Sequence, residues 1–115
     1  MSTTSDFIEY VVAQAQIADC GEVRHRKMFG EYMVYVNDKP ILLVCDNTVF
    51  VKTLPCLYGF MSQAEKGFPY DGAKEYYILD VDDIELMKSV VAALEAVIPT
   101  AQSKKKKEPK GTKRL

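Results

Sequence analysis

Arg24, His25, Arg26 and Lys27 form the densest run of groups able to hold an anion or move a proton outside the C-terminal end of this chain. On a strand, successive side chains point to opposite faces. Arg24 and Arg26 then project to one face and Lys27 to the other. Neighbouring cations on a sheet can bind phosphate or an acidic partner surface, or stand solvated. His25 is the sole histidine. A general base or nucleophile needs a partner within hydrogen-bond reach, and no motif sets a Ser or Cys beside it. Asp80, Asp82 and Asp83 imitate a carboxylate metal site, but at the start of a helix they serve as caps and complement its dipole. Cys20, Cys45 and Cys56 form no C-x-x-C pair, and with one histidine the usual zinc spacings are absent. Cys45, in the run ILLVC, suits a buried site, whereas Cys20 in Asp-Cys-Gly could be an exposed thiol. Gly21, Gly30 and Gly72 are isolated and make no phosphate loop. No catalytic, metal or cofactor-binding set is expected, and the chain reads as non-enzymatic.

The elements that must position these residues follow from periodicity. Phe7, Ile8, Val11, Val12 and Ala15 share one face of a helix over Asp6–Ala18, with Ser5 as N-cap and Gly21 as the stop. Alternating segments predict strands over Glu22–Phe29, Tyr32–Val36, Ile41–Cys45 and Thr48–Lys52. Asn37-Asp38-Lys39 and Asp46-Asn47 turn between them. A short helix over Leu57–Glu65, an aromatic loop at Phe68–Gly72 and a strand over Glu75–Leu79 come next. The last helix starts at Asp82 or Asp83, with Glu85 set for a capping box, and stops at Pro99. Its apolar stripe is Ile84, Met87, Val91, Leu94 and Ile98. The expected class is α+β: an antiparallel meander of three or four strands plus one later strand, covered on one face by the two helices.

The 115 residues hold 15 Lys+Arg against 16 Asp+Glu, with 48% hydrophobic residues. This suits a single globular domain. There is neither a secretory signal nor an apolar run long enough to span a bilayer, which takes about 20 residues, so the expected place is the cytoplasm, with no membrane partner. The charge is uneven. Residues 103–115 hold seven basic residues (Lys104, Lys105, Lys106, Lys107, Lys110, Lys113 and Arg114) and one acidic, a formal +6, so residues 1–102 carry −7 of the total −1. The expected organisation is a domain over 1–102 and a disordered Lys-rich tail over 103–115. Such a tail either solubilises the chain with no specific partner or binds nucleic acid or another anionic surface without sequence preference; if all seven cations met phosphates, the log–log salt slope would be about −6.

The order of motifs resembles the N-terminal domain of the TfoX/Sxy competence regulators. Phe7 and Tyr10 lie in the leading helix. Arg26, Lys27, Met28, Phe29 and Gly30 match the family's Arg-x-Lys-Met-Phe-Gly pattern with the Arg directly before the Lys, and Asp38 and Lys39 match its hairpin. Phe50, Val51 and Lys52 match a Phe-x-Lys strand, Phe68 and Tyr70 an aromatic loop, and Tyr76 and Tyr77 the last strand. Glu31 stands where the family usually has a second glycine, and a Lys-rich tail stands where full-length regulators have a C-terminal domain. The resemblance implies a regulatory module whose partner is a protein of the transcription machinery or an activator, with no catalytic residues. Met28, Phe29 and Gly30 then read as structural, with Met28 and Phe29 packed under a helix. Arg24, Arg26, Lys27 and Lys52 are the candidate partner surface. An open sheet face also leaves room for a homodimer.

Overall fold

A computed structural model describes residues 3–28 and 31–100. The helix α1 (Ser5–Ala18) leads into strands β1 (Val23–Met28), β2 (Glu31–Val36), β3 (Lys39–Cys45) and β4 (Thr48–Val51). A single 3-10 turn (Pro55–Leu57) then precedes β5 (Lys66–Gly67), β6 (Tyr76–Leu79) and α2 (Ile84–Val97). All strand pairs are antiparallel, in the order β1-β2-β3-β4-β6-β5. The α+β class with both helices on one face is as the periodicity predicts. The sheet gains one strand over expectation, the two-residue β5, which lies outside β6.

Local chemistry accounts for the boundaries. The N-cap of α1 is Thr4, not Ser5: its hydroxyl accepts from the Phe7 N–H at 3.2 Å. Asp19, at φ 56°, ends the helix by donating its N–H to the Gln16 carbonyl. Both central hairpins turn on two residues, Asn37-Asp38 and Asp46-Asn47, each with positive φ. Such primed turns match the twist of the flanking strands, and Asn and Asp tolerate them best after glycine. Asp83 caps α2 through the Leu86 N–H. That puts Glu85 one position too early for the expected capping box. The expected helix over Leu57–Glu65 does not form; a 3-10 turn and further turns replace it, with Leu57 and Met61 buried.

The core lies between the helices and one face of the sheet. Ile8, Val11, Met87, Val90, Val91 and Leu94 from the helices meet Val34, Leu42, Val44, Val49, Val51 and Leu79 from the strands. Cross-strand pairing keeps those strand residues in register: Val34 opposes Leu42, Val44 opposes Val49, and Val49 opposes Leu79. Two polar side chains, Thr3 and Gln14, are also buried among the described residues. Gln14 of α1 donates from Nε2 to the Val81 carbonyl at 2.7 Å, tying α1 to the segment entering α2.

Candidate functional site

Alternation leaves the other face of the sheet turned away from both helices. Its central row is Arg26, Met33, Leu43, Phe50 and Ile78, each directly opposite the next on β1, β2, β3, β4 and β6. A parallel row begins with Arg24, Tyr35 and Pro40. Met33, Tyr35, Leu43 and Ile78 are half-buried and Phe50 is buried. Phe50 meets the edge of Tyr76 at a 6.4 Å centroid distance. Lys52 follows β4 and shares a hollow of about 100 Å³ with Met33, Leu43, Phe50 and Tyr76. At 4.8 Å per strand, Arg24 lies about 14 Å from Lys52 across three spacings, and Arg26, two residues along β1, about 16 Å.

Lys52 and Tyr76 also belong to a larger recess of about 410 Å³, completed by Thr53, Leu54, Lys74 and Glu75. Lys74 was not legible as a site residue. It reaches Lys52 only because β6, which begins 25 residues after β4 ends, inserts between β4 and its sequence neighbour β5. Burial pushes the Tyr76 hydroxyl above its ordinary range, with Tyr70 and Cys45 adding to the shift. It is therefore a neutral donor at pH 7. Among the described residues the ion pairs are long contacts from Arg24 to Glu22 and Asp38, at 3.8 and 3.9 Å, and Lys39 to Glu95 at 3.2 Å. Arg26, Lys52 and Lys74 enter none of them. The open face is cationic at its ends, while α1 and α2 carry Asp6, Glu9, Glu85 and Glu95 against Lys88 alone.

A family model of the TfoX N-terminal domain matches residues 15–96. The chain belongs to the TfoX N-terminal domain family. An "Uncharacterized 12.7 kDa protein in trpE 5'region" from Spirochaeta aurantia is 32% identical over 109 residues, covering 93% of both chains. No solved structure matches the chain.

Several signature positions of this TfoX N-terminal domain are structural. The Lys39 Nζ donates to the Glu95 carbonyl at 2.6 Å and pairs with the Glu95 carboxylate. A cation there satisfies the exposed carbonyls and suits the dipole of the α2 C-terminus. Asn37 supports the same carboxylate through Nδ2 at 3.2 Å. Glu31, the departure from the family glycine, accepts the Thr3 hydroxyl at 2.8 Å and the Asp46 N–H at 3.0 Å, fastening the start of the chain to the β3–β4 turn. Met28 opposes Glu31 at the open face and so does not pack under a helix as expected. Its motif partners Phe29 and Gly30 lie outside the described residues, as do the tail cations from Lys104 to Arg114.

The Glu95 contacts carry a pH signature. Hydrogen bonds from Asn37 and Lys39 hold its carboxyl below the ordinary value near 4.5. A depressed folded-state pKa stabilises the fold above the unfolded value and loses that stabilisation as pH falls through the folded one. Glu95→Gln should therefore melt below wild type at pH 7, and the gap should close as the pH falls below the ordinary value near 4.5 and through the depressed one in a thermal-melt series. A constant gap down to pH 3 would mean the charge contributes nothing.

The remaining candidates divide by position. Lys27 lies on the opposite face from Arg24 and Arg26, as alternation predicts, and the structure does not bring it to Lys52. His25 is exposed on β1, with its ring 5.8 Å from Tyr32. Asp80 accepts the Asp82 N–H, Asp82 accepts the Tyr10 hydroxyl, and Asp83 caps α2. The three carboxylates therefore hold a helix entry. Cys45 is buried, and burial pushes its thiol up to about 11. Cys20 is half-buried rather than exposed, its thiol also raised chiefly by burial. Neither offers a reactive thiolate at pH 7. No helix among the described residues is long and apolar enough to cross a membrane.

Proposed function

We propose that this chain is a non-enzymatic regulatory module that works by docking a protein of the transcription machinery, or one of its activators, on the open face of its sheet. One observation carries the reading. An apolar cross-strand row runs from Met33 to Ile78, with Arg26 at its β1 end and with Arg24 on β1 and Lys52 after β4 flanking it two residues along their strands. An apolar centre with a charged rim is the usual anatomy of a protein interface. Asp80, Asp82 and Asp83 are taken up by the entry to α2, and burial raises the Cys20 and Cys45 thiols, which supports a binding role over a catalytic one. Family membership supports the same class, since two-domain members of the family it resembles act on transcription.

The test compares transcript levels in a deletion strain restored with wild type or with Arg24→Glu/Arg26→Glu/Lys52→Glu. These side chains lie at the surface, so the triple variant should fold with a melting temperature near wild type yet fail to restore the transcripts. Full restoration would remove the open face from the reading. A second reading draws on the seven cations of residues 103–115, which suit nonspecific nucleic-acid contact. In that case fluorescence anisotropy with duplex DNA should show binding by the full chain, a steep salt slope, and no dependence on the triple substitution.

A further inference from the structure

The two hollows on the open face share Lys52 and Tyr76 and so form one continuous groove. Its floor is apolar, from Met33, Leu43 and Phe50, with Pro40 and Ile41 along one side. Its far end holds two ammonium groups, Lys52 and Lys74, beside the Tyr76 hydroxyl and one carboxylate, Glu75. We propose that this groove binds an acidic peptide segment of a partner protein, with one aliphatic side chain in the apolar hollow and flanking carboxylates on Lys52 and Lys74. The proposal rests on the regulatory reading above and names the chemistry of its partner.

Size and charge select this occupant. An apolar cavity of about 150 Å³ holds a benzene ring, so a hollow of about 100 Å³ takes one aliphatic side chain. Lys52 and Lys74 enter no ion pair among the described residues and stay available to an incoming carboxylate. At the β1 end of the apolar row, Arg26 offers a guanidinium to a second acid about 16 Å from Lys52, three strand spacings across and two residues along. An extended segment rises about 3.3 Å per residue, so roughly five residues separate the two acidic contacts. Nucleic acid fits less well. The floor is built of Met33, Leu43 and Phe50, and the two aromatic rings of the groove, buried Phe50 and half-buried Tyr76, meet edge to face with each other rather than forming a flat stacking platform.

The experiment pans a phage-displayed library of random 12-residue peptides on the full-length chain and measures synthetic copies of the best binders by anisotropy. The recovered peptides should be acidic and carry a Leu, Ile or Met flanked by Asp or Glu. Their affinity should fall at least tenfold on Lys52→Glu/Lys74→Glu and on Leu43→Asp, and panning on the double lysine variant should recover basic peptides instead. The lysine variant lies at the surface and keeps the test valid if Leu43→Asp fails to fold. Peptides held by residues 103–115 would bind the double variant as well as wild type, and that result overturns the proposal. So would recovery of neutral or basic peptides, or no recovery at all. A dimer in sedimentation that Leu43→Asp dissociates would also overturn it, by showing that a second copy covers the groove. Failed peptide selection alongside a triple variant that still fails to restore transcription would refute this proposal alone. A triple variant that restores transcription would remove the regulatory reading of the face.

Discussion

Gly21→Ala should cost the fold about 3 kcal/mol, one of the two largest losses expected from a single methyl-scale change. Gly21 sits at φ +148°, where L side chains carry strain. A Cβ built there falls 2.3 Å from the Asn37 Nδ2 and 2.4 Å from its Oδ1. Asn37 cannot swing aside freely. Its Oδ1 accepts the Glu22 N–H at 3.0 Å, and its Nδ2 donates to the Cys20 carbonyl at 3.3 Å and to Glu95 at 3.2 Å. Moving it loosens the α1–β1 connection, the β2–β3 turn and the end of α2 together. Each hydrogen bond broken this way costs about 1 kcal/mol. For a domain of this size the melting temperature should drop by roughly 12–24 °C. Gly59 is the control: a Cβ there meets nothing within 4 Å, and Gly59→Ala should leave the melt near wild type. A Gly21→Ala protein that melts within 3 °C of wild type would contradict this account.

Leu42→Ala should cost about 3–4 kcal/mol, whereas Leu43→Ala, one residue on, should cost about 1 kcal/mol. Leu42 is fully buried opposite Val34, in the layer beneath the helices. Truncating it leaves a cavity as well as lost contacts. Leu43 is half-buried on the other face. Chemical denaturation should separate the two by about 2 kcal/mol or more, with m-values unchanged. Peptide binding should separate them the other way, since Leu43 lines the groove and Leu42 does not. Equal stability losses would mean that the face is covered in the free protein.

The helices and the first four strands were legible because their signals are local. The 3.6-residue stripes of α1 and α2, the alternation in β1, and the Asn/Asp pairs at both hairpins need no distant partner to be read. The Leu57–Glu65 stretch misleads for the same reason. Leu57, Met61 and Ala64 recur at helical spacing, and one bond of helical type forms, from the Met61 N–H to the Leu57 carbonyl. The next, from Ala64 to Met61, has already tightened to a three-residue turn. Tertiary burial of Leu57 and Met61 decides that segment, not propensity. The groove was legible only in pieces. In the apolar run ILLVC nothing local tells which residues face the helices. The meeting of Lys52 and Lys74 depends on β6 inserting between β4 and β5.

The position of β1 has a further consequence for solubility. It is the outermost strand of the sheet on its side, and its six residues present a backbone edge that no other strand among the described residues pairs. Such an edge is a template for another chain of the same kind. Arg24, His25, Arg26 and Lys27 are all exposed along it, so two copies approaching edge to edge bring like charges together. The same side chains that suit an acidic partner therefore act as gatekeepers against fibril-like pairing. Salt that screens them, or a polyanion that neutralises them, lowers the concentration at which free copies can align along this rim.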